Sequence, residues 1–130
     1  MEDRLSQYLR GEAARRWELG IADCVTFIAD WVRQRRGVDP MAYCRGYQDN
    51  IEAESLLAGW GGLARVVGRG LRRAGIAMTR APQPGDVAVL ALEGRAICAI
   101  RVAKGWVMRL DDGLALLPGE RVRVLAAWGL

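Results

Sequence analysis

The spacing of apolar residues changes near residue 75, and this change constrains the fold more than any other feature of the sequence. Before it, apolar residues recur every three or four positions, which is typical of amphipathic helices. After it, the chain breaks into short apolar segments separated by turn residues, which is typical of strands. This order predicts an α+β fold, with helices from residues 1–75 packed on a curled antiparallel sheet from residues 76–130.

Four helices are predicted in the first half. The first stops at Gly11, the second begins at Asp23 and stops at Gly37, and the last is closed by Gly75, because capping residues and glycine mark helix ends. The predicted ranges are 2–10, 23–36, 49–58 and 62–74.

Five strands are predicted in the second half. Glu93-Gly94, Lys104-Gly105 and Asp112-Gly113 indicate tight hairpin turns, since glycine accepts the positive φ that such turns need. Consecutive strands should therefore pair antiparallel. The segment 87–90 is apolar throughout, which predicts a central strand covered on one face by the second helix. The predicted strands are 86–92, 96–102, 105–110, 114–117 and 122–128.

One cysteine stands at the start of the second helix, where its chemistry can be altered. Asp23 is predicted to cap this helix, which places Cys24 in the first turn. Unpaired backbone N–H groups and the positive end of the helix dipole favour a thiolate there. Free cysteine is also among the most buried residue types. The residues alone leave open whether Cys24 is a nucleophile or a core residue.

The residues around Cys24 resemble those of the NlpC-type cell-wall cysteine peptidases. The shared pattern is Asp23-Cys24-Val-Thr-Phe27 at the start of a helix, followed much later by Pro84-Gly85-Asp86 and short strands. The chain is still more similar to a small family found in prophages and phage tail gene clusters. Further matches to that family are Gly37-Val-Asp39-Pro40, Gly61-Gly62 and Ala127-Trp128. The resemblance covers nearly the whole chain and implies a papain-like, NlpC-type fold in one domain, 1–130.

The sequence departs from the peptidase pattern at the general base. In those peptidases a histidine lies at the start of the second core strand, and the matching position here is near Ala96. The chain contains no histidine, so a papain-like mechanism cannot be completed within it. The resemblance therefore implies a catalytically degenerate domain in which Cys24 is a vestigial or weak nucleophile.

Three classes of function follow from these observations. The resemblance favours a structural or assembly component of a phage or phage-like tail, at the tail tip or baseplate. Such a protein would fold in the bacterial cytoplasm and become part of the virion tail. The second class is a peptidoglycan hydrolase using Cys24 with a base that is not histidine or that another chain supplies. The third is a binder of nucleic acid or another anionic polymer.

An assembly role requires a surface that contacts other tail or baseplate proteins. We expect this surface in the loop from Pro40 to Gly62, which holds Tyr43, Tyr47 and Trp60 as well as several glycines. Aromatic side chains are frequent anchors of protein interfaces, and glycine makes the backbone adaptable.

Arginine accounts for much of the net charge of +4. A cluster of this kind is either the solvated face of a helix or a contact for an anionic partner. No nucleic-acid-binding motif accompanies it, so nucleic acid is not the expected partner. The clustered residues are Arg33, Arg35 and Arg36 in the second helix and Arg65, Arg69, Arg72 and Arg73 in the last.

Composition and cysteine spacing exclude several classes of protein. With 130 residues, 52% of them apolar and 26% charged, the chain is an ordinary globular one without an apolar run that could span a membrane. The N-terminal residues lack a basic patch followed by an apolar stretch, so no signal peptide is expected. Cys24, Cys44 and Cys98 lack paired spacing and are expected to be free thiols. Without histidine or a Cys-x-x-Cys motif, a metal is not expected. No cofactor is expected either.

The remaining acidic and aromatic residues are interpreted structurally. Asp111 and Asp112 are interpreted as turn residues rather than a catalytic pair, because adjacent side chains point apart and Asp-Gly is a turn signal. Trp31 and Trp128 lie on apolar faces and are predicted core residues. Trp17 and Trp60 are open to either a core or a surface role.

Overall fold

The computed structural model describes residues 3–20, 23–47, 49, 52–54 and 62–130. Within these ranges it forms an α+β structure, as predicted, with helices first and one antiparallel sheet afterwards. The helices are α1 (Arg4–Ala13), α2 (Cys24–Arg36) and α3 (Leu63–Arg73). The strands are β1 (Val87–Leu92), β2 (Arg95–Val102), β3 (Gly105–Leu110), β4 (Gly113–Leu117) and β5 (Arg123–Trp128), with a short 3₁₀ turn at Gly119–Arg121.

Helix α1 is longer than its predicted range. It continues through Gly11 to Ala13, because glycine can adopt the helical backbone as well as end a helix. Glu12 in its last turn is buried and accepts a hydrogen bond of 2.9 Å from Nη2 of Arg109 in β3. This contact, which joins residues 97 apart in sequence, fixes the end of α1 to the sheet.

Arg109 is itself buried on the helix-covered face of the sheet. Besides its ion pair with Glu12, its guanidinium donates to the backbone carbonyls of Glu12 and Arg15, each at 3.2 Å. The same group lies 5.4 Å from the ring centre of Phe27 in α2. One charged side chain therefore joins α1, α2 and β3.

Helices α2 and α3 lie close to their predicted ranges. Asp23 caps α2 and Gly37 ends it, as predicted. The helix predicted over 49–58 falls largely outside the described residues, of which 52–54 are helical. Gly70 of α3 packs against the chain at Pro40, where an added Cβ would lie 1.9 Å from the Pro40 carbonyl oxygen. This close approach explains why a helix interior contains a glycine.

The five strands lie within one or two residues of their predicted ranges and are ordered β4-β3-β2-β1-β5, with every neighbouring pair antiparallel. The β1–β2 turn has positive φ at both Glu93 and Gly94, as a two-residue hairpin of type I′ requires. The other two predicted turns are also present, with Lys104 and Asp112 in the turns and Gly105 and Gly113 as the first residues of the strands that follow. Gly105 has the predicted positive φ, 149°, and Gly113 does not. Gly105 also permits close packing, since a Cβ there would lie 2.1 Å from the Leu117 carbonyl oxygen.

The sheet is apolar on both faces. One face packs against the helices and contributes Val87, Val89, Cys98 and Ile100 to a core with Phe27, Trp31 and Leu71. The other face carries a second cluster formed by Ala88, Leu90, Ala99, Trp106 and Ala127.

Strand β1 is buried on both faces, as predicted, but the predicted helix does not cover most of it. α2 lies mainly over β2 and β3, and α3 lies over β1 and β5. The indole N–H of Trp31 in α2 donates to the Gly85 carbonyl at 2.7 Å, which links α2 to the residues just before β1. Trp31 and Trp128 are both buried, as predicted.

Candidate functional site at Cys24

The start of α2 is held by the buried carboxylate of Asp23. Its Oδ1 accepts from the backbone N–H of Thr26 at 2.9 Å, and the Asp23 N–H donates to Thr26 Oγ1 at 2.8 Å. This reciprocal pair is a capping box. Oδ2 accepts from the backbone N–H of Gly20 at 2.7 Å and from the hydroxyl of Tyr47. Asp23 thus fixes the loop before Cys24 as well as the helix after it.

Cys24 is half-buried and lines two adjoining clefts. The larger, of about 700 Å³, lies over the β2–β3 region and also includes Trp17, Arg109 and Asp111. The smaller, of about 270 Å³, lies toward Tyr47 and includes Asp23, Cys44 and Leu63. The thiol is therefore placed where it contacts both the core and the cleft walls.

The position predicted for a missing general base lies beside Cys24. Ala96 lines both clefts together with Cys24, and its methyl group can neither accept nor donate a proton. The preceding residue, Arg95, also lines both clefts, but a guanidinium keeps its proton at neutral pH and cannot act as a base. The acidic residues Glu93, Asp111 and Asp112 line the larger cleft.

A second thiol contacts Cys24. Cys98 follows Ala96 by two residues in β2, so both residues face the helices. The Cys98 thiol donates a hydrogen bond that lowers the pKa of Cys24, against the opposing effect of burial. The same hydrogen bond and burial raise the pKa of Cys98 well above its usual value. The sequence predicts a lowered pKa of Cys24 from the helix start alone, whereas the leading cause is Cys98.

The three cysteines are free thiols, as predicted. Cys44 is buried beside α3, and burial raises its pKa. The proximity of Cys24 and Cys98 is not among the features predicted from the sequence. Strand alternation would have found it, since a residue two positions from Ala96 must lie on the same face of β2.

The two tyrosines of the predicted docking loop are half-buried and bound to the helices. The Tyr47 hydroxyl donates to Asp23, and burial together with this hydrogen bond raises the pKa of Tyr47. The Tyr43 hydroxyl donates to the Val66 carbonyl at 2.6 Å, and burial raises the pKa of Tyr43 to about 12. Trp60 lies outside the described residues. Each tyrosine therefore has a structural role, which leaves part of its ring for contact with a partner.

Trp17 is partly exposed at the rim of the larger cleft. Its backbone N–H donates to the Asp111 carbonyl at 2.6 Å, which joins this rim to the β3–β4 turn. Asp111 and Asp112 form that turn, as predicted. Across the described ranges there is no cluster of three or more His, Cys, Asp or Glu side chains suited to a metal ion. The same part of the chain has no helix of the length and apolarity needed to cross a bilayer.

The arrangement brings a thiol with a lowered pKa to a cleft whose facing position has no proton acceptor. The thiol can meet a ligand or an electrophile in these clefts, and the carboxylates of Glu93, Asp111 and Asp112 line the larger one. No curated protein and no solved structure matches the chain. A family model described as a domain of unknown function, DUF6950, matches residues 1–130, and the chain belongs to that family.

Proposed function

We propose that this protein is a structural or assembly component of a phage or phage-like tail, at the tail tip or baseplate. In this proposal it is built on a papain-like, NlpC-type fold that has lost its catalytic function. The observation that carries the proposal is that Cys24 and Ala96 line the same two clefts. The helix start resembles that of a peptidase, while the facing position offers no base.

Loss of the base affects every proton transfer in a cysteine hydrolase. A thiolate at Cys24 could attack a carbonyl, but no imidazole would protonate the leaving amine or activate water for deacylation. A stable domain that keeps its site geometry without this chemistry is best explained by binding. The expected partners are other tail or baseplate proteins, which makes the domain part of the virion tail after assembly in the bacterial cytoplasm.

The experiment is deletion of the gene in a lysogen that carries it, followed by electron microscopy of the particles and titration of infectivity. We expect incomplete or non-infectious tails, and restoration by both the wild-type gene and Cys24→Ala, because the role does not need the thiol. Immunoblotting of purified tails should detect the protein in both complemented strains. Complete infectious tails without the gene would reject the assembly role.

A second candidate is a peptidoglycan hydrolase with an unusual base. Three carboxylates, Glu93, Asp111 and Asp112, line the larger cleft together with Cys24, and a carboxylate is the available proton acceptor there. The test is incubation of the purified protein with peptidoglycan and mass spectrometry of released fragments. Release that Cys24→Ala abolishes would favour this function, and restoration of tails by Cys24→Ala in the deletion strain would argue against it.

A further inference from the structure

A groove of about 790 Å³ lies between α3 on one side and residues 76–78 with the end of β5 on the other. We call it the arginine groove. Its α3 side carries Arg65, Arg69, Arg72 and Arg73, and its other side is formed by Ile76, Ala77, Met78, Ala126 and Trp128. We propose that the arginine groove binds an extended, acidic polypeptide segment of a partner protein. This inference does not depend on the tail assignment, since it concerns the chemistry of the partner.

The arginine groove is positively charged. All four arginine side chains are exposed, and among the described residues that line the groove there is no Asp or Glu. Arg65 and Arg69, four residues apart, repel each other on one helix face. Arg65 also lies in the first turn of α3, where the helix dipole disfavours a cation. An acidic partner would relieve both unfavourable interactions.

Exposed apolar side chains lie beside the arginines of the groove. Met78 is 67% exposed and lies on the sheet side of the groove. Val124 and Leu125 of β5 are exposed as well. A segment with alternating acidic and apolar side chains can therefore meet arginine on one side and apolar groups on the other.

Strand β5 is an edge strand of the sheet, so part of its backbone is open to pairing with a further strand. Residues 77–79 pair with the end of this strand, through hydrogen bonds of 2.9 Å from Thr79 N–H to Ala127 O and 3.0 Å from Gly129 N–H to Ala77 O. In the part of the chain that the structure describes, no strand continues this pairing beside residues 123–126. An extended polypeptide could continue it by adding a strand.

These features favour a polypeptide over a nucleic acid. Proteins that bind single strands stack bases on exposed aromatic rings. Among the described residues lining the arginine groove, Trp128 supplies the ring, and it is 3% exposed. A free strand edge is a recurring site for extended peptides, which pair with it through successive backbone hydrogen bonds.

The test uses a fluorescein-labelled peptide of alternating Glu and Val, about eight residues long to match a strand with its flanks. Fluorescence anisotropy should show binding that weakens as salt is added. Arg65→Glu combined with Arg69→Glu should weaken it about tenfold or more. The matched control is Arg33→Glu combined with Arg36→Glu, which makes the same charge change on α2 outside the groove and should leave binding within about twofold. Thermal melts of both variants establish that they are folded.

The position of the bound peptide is measured by amide chemical shifts. Shifts in residues 123–126 and in the exposed face of α3 support the proposal, and shifts confined to other surfaces overturn it. It is also overturned by an absence of binding to the Glu-Val peptide, or by equal losses in the two charge-reversal variants. A single-stranded oligothymidylate probe that binds more tightly, with the same dependence on Arg65 and Arg69, would identify a nucleic-acid site instead.

Discussion

The carboxylate of Asp23 accepts a hydrogen bond from the hydroxyl of Tyr47, so the residue that caps α2 also holds the chain that follows this helix. The same carboxylate accepts from Gly20 N–H, just before the helix. Two segments that flank Cys24 in the fold are thus fixed by one buried acidic group.

Replacing Asp23 by alanine should lower the free energy of unfolding by about 2 to 4 kcal/mol, because it removes a helix cap and two further hydrogen bonds to a buried carboxylate. Urea denaturation monitored by circular dichroism measures this loss. The control is Asp3→Ala, which removes the exposed cap of α1 and the hydrogen bond that its side chain accepts from the Ser6 N–H. Equal losses in the two variants would mean that the contacts to Gly20 and Tyr47 contribute nothing.

The buried pair of Glu12 and Arg109 should show strong coupling. Arg109→Met leaves Glu12 buried without its main partner, and we expect a loss of about 3 to 5 kcal/mol. Adding Glu12→Met should recover much of that loss, because no buried unpaired charge then remains; Arg15, which also pairs with Glu12 at 3.1 Å, is exposed enough to be solvated. A double-mutant cycle by urea denaturation measures the coupling, and additive effects of the two substitutions would contradict it.

Replacing each of two helical glycines by alanine should change the stability of the protein in opposite directions. At Gly70 the new Cβ would meet the Pro40 carbonyl, and overpacking of this kind costs about 1 to 3 kcal/mol. At Gly11 the space is open, so alanine should stabilise by about 0.5 to 1 kcal/mol through its better helix propensity. Thermal denaturation of both variants checks the difference. Destabilisation by Gly11→Ala would show that α1 does not tolerate a side chain there.

The Cys24 thiol should be alkylated at lower pH than Cys44 or Cys98, since its pKa is lowered and theirs are raised. Cys98→Ala removes the hydrogen bond to Cys24, so the pKa of Cys24 should rise and its alkylation profile should move to higher pH. Mass spectrometry of iodoacetamide-treated protein over a pH series gives both profiles. An unchanged profile in Cys98→Ala would assign the lowered pKa to the helix start instead.

Placing histidine at position 96 should restore an ionisable neighbour to Cys24. Ala96→His is expected to raise the alkylation rate of Cys24 below pH 7 by about tenfold, because an imidazolium stabilises the thiolate. Ala77→His, on an exposed segment away from Cys24, is the control and should leave the rate unchanged. Equal rates in both variants would show that side chains at position 96 do not reach the thiol.

Local signals explain which parts of the fold were predictable from sequence. The ends of α2 follow from Asp23 and Gly37, and the strand ranges follow from turn residues, all of which act within a few positions. The end of α1 does not, because it depends on a contact from Glu12 to Arg109 in a distant strand. The arginine groove was equally hidden, since its second side is built by residues 76–78 beside β5. The spacing of the arginines in the sequence predicts only the side of the groove that α3 forms.

The strand order also has a consequence for folding kinetics. Strands β1 to β4 pair with their sequence neighbours, and such local hairpins close within about 1 to 10 microseconds. β5 pairs with β1 across the whole of this meander, so it must close a long loop and is expected to join last. The outer edge of β5 then exists only in molecules whose folding is complete. A partner that binds this edge would therefore bind fully folded subunits and not partly folded ones.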